Sequence, residues 1–238
     1  MTSGKFALAA LVAAGAVAAA CGTTAIARQD REALITPEAK GVAQTVTAAE
    51  LAAWGRERRD PGALVMAARL LAEVPMREGQ AGDPGAGFLT PEALMAEARA
   101  LRPGDEELAD ALDEIVVTGS RVASGAVAPA APSAALRGVA DSPFGAGPVS
   151  TVKQLRARER WGFEVNARAG EVLRVAAIGD GDTDINLMVL DERGRAVCTD
   201  GFGDHYPVCT IAPRSGGKMR IDIVNRGAVW TKVQVLSN

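Results

Sequence analysis

The chain is short of several residue types, and each shortage excludes something. Of its 238 residues only one, His205, is a histidine. A His-Glu-x-x-His zinc site is therefore impossible, and a Ser-His-Asp triad would have to use His205 as its base. No Gly-x-Ser-x-Gly elbow, P-loop or dinucleotide fingerprint is present. Aromatic residues make up 4%, so a dense core running through the whole chain is not expected. Net charge is -3 and no basic patch is interleaved with aromatics, which points away from nucleic acid. The residues predict a protein without a catalytic apparatus.

Long apolar runs are equally scarce. The main one follows Lys5 and extends from Phe6 to Ala20. One positive charge, a short apolar run and then small residues make a secretory signal peptide, expected over 1–27. The run is short and Ala-rich for a membrane span of about 20 residues. Two cleavage readings stay open. Ala18-Ala-Ala-Cys21-Gly22 resembles a bacterial lipobox, which implies lipidation of Cys21 and an outer-membrane tether. Ala25-Ile-Ala27 is an ordinary signal-peptidase site that would discard Cys21. Both predict export, to the periplasm or outer membrane.

Helical signals follow over 36–115. Thr47-Ala-Ala-Glu50 has the form of a capping box. Asp60-Pro61 and Thr90-Pro91 each combine an N-cap with proline at the first helical position. Leu64, Ala67, Ala68 and Leu71 form an apolar stripe, and Asp105 caps a last helix. Two helical hairpins are expected, with Trp54 in their core. Ala98-x-x-Leu101-x-Pro103-Gly-Asp105 resembles the end of a tetratricopeptide repeat. Next, 116–150 is rich in Ala, Pro, Gly and Ser and reads as a linker. At its start, Glu114-Ile115-Val116-Val117-Thr118-Gly-Ser-Arg121 resembles the TonB box of outer-membrane receptors. That resemblance implies a TonB-like protein partner pairing with residues Glu114–Thr118 as an added strand.

From 151 to 238 the period changes to two. Trp161, Phe163 and Val165 alternate with Gly162 and Glu164; Met219, Ile221 and Ile223 alternate with Lys218, Arg220 and Asp222; Val229, Thr231, Val233 and Val235 alternate with Trp230, Lys232 and Gln234. Ile185, Leu187 and Val189 oppose Asn186, Met188 and Leu190, so this strand reads as the sandwich centre. Gly- and Asp-rich turns separate the strands, as in an antiparallel sandwich. Cys198 and Cys209 flank a Gly/Asp-rich loop, and a disulfide between them is expected in an oxidising compartment. The fold class is therefore α+β: helical hairpins, a linker and an all-β sandwich.

Phe163-x-Val165, Gly170-Glu171, Gly181-Asp-Thr-Asp-Ile-Asn-Leu-Met-Val-Leu-Asp191 and Met219-Arg-Ile-Asp-Ile-Val-Asn225 together resemble the bacterial pre-peptidase C-terminal domain. The resemblance covers 161–238. It implies a non-catalytic jelly-roll-like sandwich, in some members binding calcium or an extracellular polymer. Asp180, Asp182, Asp184 and Asn186 are spaced by two, with Asp191 beyond. Oxygen ligands at alternate positions suit calcium, with Asp200 and Asp204 as further donors; the same residues also suit a plain turn. Three functions are thus carried forward: an envelope interaction or scaffold protein, a calcium-assisted carbohydrate- or polymer-binding module, and an accessory to a separate secreted hydrolase.

Overall fold

The computed structural model describes residues 33–83, 87–111, 113, 142–203 and 205–238. The leader, Cys21, Asp204 and the TonB-box-like residues 114–121 lie outside them, as does most of the expected linker.

Helix α1, Pro37–Arg58, begins earlier than the sequence suggested. Thr36 is its N-cap, accepting from Ala39 N, and Pro37 opens it. A cap followed by proline starts the helix eleven residues before the capping box at Thr47 could. Thr47 sits mid-helix, its hydroxyl returned to the Ala43 carbonyl at 3.2 Å. Helices α2, Pro61–Ala72, and α3, Pro91–Leu101, start at Asp60 and Thr90 as expected. Asp105 accepts from Leu108 N at 3.0 Å and caps a further helical stretch over 106–111. Leu64, Ala67, Ala68 and Leu71 are all buried. Trp54 is not in the core: it is 44% exposed, with the Arg58 guanidinium 4.6 Å from its ring centroid. The small residues of α1, Ala48, Ala49 and Ala52, carry the packing there instead.

Nine strands follow among the described residues: β1, Arg77–Glu78; β2, Val149–Leu155; β3, Arg160–Ala167; β4, Leu173–Gly179; β5, Ile185–Leu190; β6, Ala196–Asp200; β7, Val208–Ile211; β8, Gly217–Asn225; and β9, Thr231–Ser237. They form two sheets, ordered β1-β2-β9-β4-β7 and β3-β8-β5-β6. All pairings are antiparallel except β1 with β2. Between the sheets lie Leu155, Val175, Ala177, Ile185, Leu187, Val189, Ile221, Ile223, Val233 and Val235.

The helices cover the other face of the five-stranded sheet. Ala176, Ile178 and Leu236 join Val42, Leu64, Leu71 and Leu94 in one apolar cluster. The molecule is therefore three layers deep: helices, larger sheet, smaller sheet. This corrects the expected position of β5. Its Asn186, Met188 and Leu190 are half-buried on the uncovered outer face, while β4 and β9 are buried on both faces. Gln234 shows the consequence. Facing the helical layer, it is 2% exposed and accepts from Leu89 N while donating to Ser150 Oγ at 3.0 Å.

Residues 142–150 were expected within the linker. They pack instead: Phe144 is buried, Ala146 N donates to Glu38 Oε1, and β2 begins at Val149. Segment 77–83 then runs along the edge of β2, with Arg77, Gly79 and Asp83 N–H groups donating to the carbonyls of Pro148, Ser150 and Val152. Asp83 clamps this edge, accepting from Gln154 N at 2.9 Å and Lys153 Nζ at 2.6 Å. These donors, the backbone amide first, hold its pKa below the ordinary carboxylate value. A pKa lower in the folded chain than in the unfolded one gives a contribution that is complete above about pH 4 and is lost as pH falls through the lowered value. In that acidic window the amides of 79–83 are expected to exchange faster while the sandwich stays protected. Asp83→Ala is expected to produce the same pattern at neutral pH; unchanged exchange in the variant would show that the clamp is idle.

Candidate functional site

The connections β2–β3, β4–β5, β6–β7 and β8–β9 gather at one end of the sandwich. The registers require it: Ile185 pairs with Asn225, Leu187 with Asp200, and Gly179 with Val233. Asn225 is the hub of this end. It is fully buried, accepts from Thr183 Oγ1 at 2.7 Å and Gly227 N at 2.8 Å, and donates to the Arg156 and Val229 carbonyls at 2.9 and 2.7 Å. One amide thus ties three connections together. Asn-x-Gly in the sequence marked a turn; nothing in it marked this long-range role.

The acidic loop is held to the same frame. Asp180 accepts from Thr231 Oγ1 at 2.6 Å, Lys232 N at 2.8 Å and Asp182 N at 3.4 Å. Its two oxygens therefore bind the β9 entry. Asp182 is exposed. Asp184 Oδ1 and Asn186 Oδ1 are buried and have no hydrogen-bond partner. Asp200 accepts from Val208 N at 2.8 Å across the β6–β7 connection. Asp191 belongs elsewhere. It lies at the other end of β5, roughly 20 Å away by strand rise. There it accepts from the Arg193 and Arg195 amides and from the Arg195 guanidinium. The Arg195 backbone amide first, then its side chain, keep the Asp191 pKa below the usual carboxylate value. Among the described residues, no group of three or more His, Cys, Asp or Glu side chains is arranged to hold a metal ion. The alternate spacing read as a ligand set is divided by the strand itself: Asp191 caps a turn, Asp180 caps a strand, and Asp184 and Asn186 are left as the two open oxygens.

His205 also serves the loop framework. Its Nδ1 lies 2.8 Å from the Thr183 carbonyl, and its own carbonyl accepts from Gly179 N at 2.8 Å. The Tyr206 ring stands edge-on to it, with centroids 6.1 Å apart.

The sandwich's two long sides differ. On one, Cys198 of β6 and Cys209 of β7 are disulfide-bonded, with Cα atoms 5.9 Å apart, so a covalent link joins the outer strands of the two sheets. On the other, β3 pairs only with β8 among the described strands. A cleft of about 670 Å³ opens beside it. Six consecutive residues, 163–168, line one wall, and Glu38, Arg77 and Thr151 belong to the opposite side. Consecutive lining means that the strand offers its edge, since a face would contribute every second residue.

These features define an α+β chain whose C-terminal part is a β-sandwich. No family model matches the sequence, and no curated protein matches it. Solved structures resemble part of it. The pre-peptidase C-terminal domain of a collagenase from Bacillus anthracis has a TM-score of 0.34 at 5% identity, covering 38% of this chain and 89% of that one. PliG from Aeromonas hydrophila, a periplasmic inhibitor of g-type lysozyme, has a TM-score of 0.30 at 16% identity, covering 38% of this chain and 86% of that one. A de novo designed double-stranded β-helix has a TM-score of 0.25 at 15% identity, covering 37% and 97%. Likeness at this level carries no argument about function.

Proposed function

We propose that the protein is a non-catalytic interaction module of the bacterial cell envelope, and that it takes an extended protein segment along the open edge of β3. The observation that carries this reading is the cleft beside that edge. Unpaired backbone N–H and C=O groups of a strand edge are hydrogen-bonding groups in want of partners, and an added strand satisfies them. The exported, envelope-bound setting rests on the leader's charge and apolar pattern. The polar groups elsewhere favour a holding role: His205 and Asp191 spend hydrogen bonds on loop backbone, and Asp180 and Asp200 on the entries of β9 and β7. The test is a photo-reactive residue at Asn166, followed by hydrogen exchange on the complex formed with the captured segment. Protection is expected in the amides of 163–167. Protection confined to the helical layer or to the loop end would sink strand addition.

A second reading, the calcium-assisted polymer-binding module, is favoured by one feature: the partnerless oxygens of Asp184 and Asn186. Buried acceptors without donors are costly unless something binds them, and hard cations bind oxygens. Asp182 and Asp204 are the further donors it would need. Calcium at saturating concentration is then expected to raise the melting temperature by several degrees. The shift should vanish in Asp184→Ala. No shift in the unaltered chain removes this reading.

A further inference from the structure

The loop end has a second character on its β2–β3 and β8–β9 side. These two turns lie against each other: Arg158 N donates to the Gly227 carbonyl at 3.3 Å, and Asn225 binds the carbonyls of Arg156 and Val229. Their tips expose Arg156, Arg158 and Arg226, and Lys232 follows one residue into β9. No carboxylate pairs with any of these four side chains among the described residues. The acids nearby are occupied by backbone. Glu159 accepts from Arg156 N at 2.7 Å, and Asp180 takes the Lys232 amide and the Thr231 hydroxyl. The remaining described acids of this end are Asp182 and Asp184 in the β4–β5 connection, which abuts the β8–β9 turn through Arg226 N donating to the Asp184 carbonyl at 2.9 Å, and Asp200 at the end of β6. Among the described residues, the tips of these two turns therefore carry four cations without a carboxylate partner.

Between the cations stand two apolar side chains in water. Val229 is 52% exposed and Trp230 is 55% exposed. Tryptophan is scarce here, three in the whole chain, and its exposure on a turn leaves a large apolar ring without a partner. None of the residues of these two turns lines the cleft beside β3. A half-exposed tryptophan on a turn that carries Arg226 and leads into Lys232, beside a turn that carries Arg156 and Arg158, suits a soft, negatively charged, interfacial surface. Indole rings settle at the headgroup level, and cations pair with lipid phosphates. The Asn225 hydrogen bonds hold both turns before contact, so little ordering entropy is lost on docking.

We propose that turns 156–159 and 226–230 form a docking tip for an anionic phospholipid surface. Trp230 and Val229 enter the headgroup layer while Arg156, Arg158, Arg226 and Lys232 meet lipid phosphates. Each cation near such a surface adds about a fivefold gain in partitioning, and the contact weakens with salt. The tip would orient the sandwich on the membrane and leave the β3 cleft, on the lateral side, free. The inference does not depend on what the cleft binds.

The test uses the full chain with vesicles of phosphatidylethanolamine and phosphatidylglycerol carrying brominated acyl chains. The apolar run 6–20 can itself hold the chain on vesicles, so the readout is quenching of tryptophan fluorescence and not pelleting. Quenching is expected on these vesicles, absent in Trp230→Phe, and suppressed by high salt. In Arg156→Glu/Arg226→Glu it should fall to about a tenth or less at fixed lipid, with the melting temperature unchanged. A charge variant that melts early is replaced by Arg156→Gln/Arg226→Gln, with a proportionately smaller loss expected. Equal quenching on phosphatidylcholine, quenching that survives in Trp230→Phe, or indifference to both charge variants overturns the proposal. So does binding of polyglutamate without any Trp230 quenching by lipid, which would assign the corner to an acidic protein.

Discussion

Gly147→Ala is expected to destabilise the chain by roughly 3–5 kcal/mol, a large part of what holds a domain folded. Gly147 has φ +76°. A Cβ there would stand well inside the Pro75 carbonyl oxygen, with the Pro75 carbonyl carbon and ring also too close. The position has no room to relax. Gly147 N donates to the Phe144 carbonyl at 2.9 Å, and the Gly147 carbonyl accepts from Arg77 Nε at 2.8 Å. Through these bonds the 142–148 turn locks the end of the helical layer to the start of β2. Two costs therefore add: a left-handed backbone that alanine disfavours by about 1 kcal/mol, and displacement of a backbone strand that cannot move freely. Gly170 and Gly194 separate the two, because both have positive φ with nothing within 4 Å of the added methyl. Alanine at either should cost only the backbone part. Urea unfolding of the three variants decides the matter. A loss at Gly147 no larger than at Gly170 would mean that the turn is not pinned against Pro75.

The second large effect belongs to the disulfide. Cys198 and Cys209 are separated by 11 residues, and opening that loop in the unfolded chain costs about 3 kcal/mol of stability in the chain-entropy view. Its place raises the consequence. β6 and β7 are the outer strands of different sheets, and they meet on the side opposite the open β3 edge. Without the bond, neither long side of the sandwich has a covalent closure. Cys198→Ala/Cys209→Ala is expected to lower the urea midpoint accordingly, and reductant should do the same to the unaltered chain. Hydrogen exchange should rise first in β6, the half-exposed strand, and in its connection to β7. An unchanged midpoint in the double variant would show that the sheets hold that side without covalent help.

How far the sequence reads forward depends on whether a signal is local. Asp60-Pro61, Thr90-Pro91 and Asp105 act within one helical turn, and each starts the helix it announced. The capping box at Thr47 was equally local but lost to a better start at Thr36-Pro37. Alternation in β3 and β8 was legible because a strand with one wet face leaves a period of two, and β9 kept the period because Lys232 and Gln234 are polar even though Gln234 is buried under the helices. β4 was not, since Leu173-Arg-Val-Ala-Ala-Ile-Gly179 meets apolar neighbours on both sides and has no polar period to show. β5 misled for the opposite reason. Met188 and Leu190 made it look doubly buried, yet no third layer covers them among the described residues.

The candidate site divides the same way. The Cys198–Cys209 pairing followed from spacing and compartment, because only two cysteines flank a loop in the β region. The acidic spacing put Asp180, Asp182, Asp184, Asn186 and Asp191 together, and the structure separates them. Asp191 falls at the far end of a strand, and Asp180 is consumed by Thr231 and Lys232 from a segment fifty residues later in the chain.

What the sequence by itself determined is therefore the inventory: two kinds of secondary structure, a sandwich with a disulfide, turns at their proper places, and no second histidine for catalysis or zinc. Those properties reside in residues a few positions apart, where backbone preference and periodicity act without knowledge of the rest. The tertiary structure alone decided that the helices roof the larger sheet, that Asn225 binds three loops, that one side of the sandwich is bonded while the other is open, and that Trp230 is exposed on a turn held against the β2–β3 connection. Each of these is a relation between segments distant in sequence, brought together by burial of apolar surface and then fixed by hydrogen bonds or the disulfide, and no local pattern records which faces will meet.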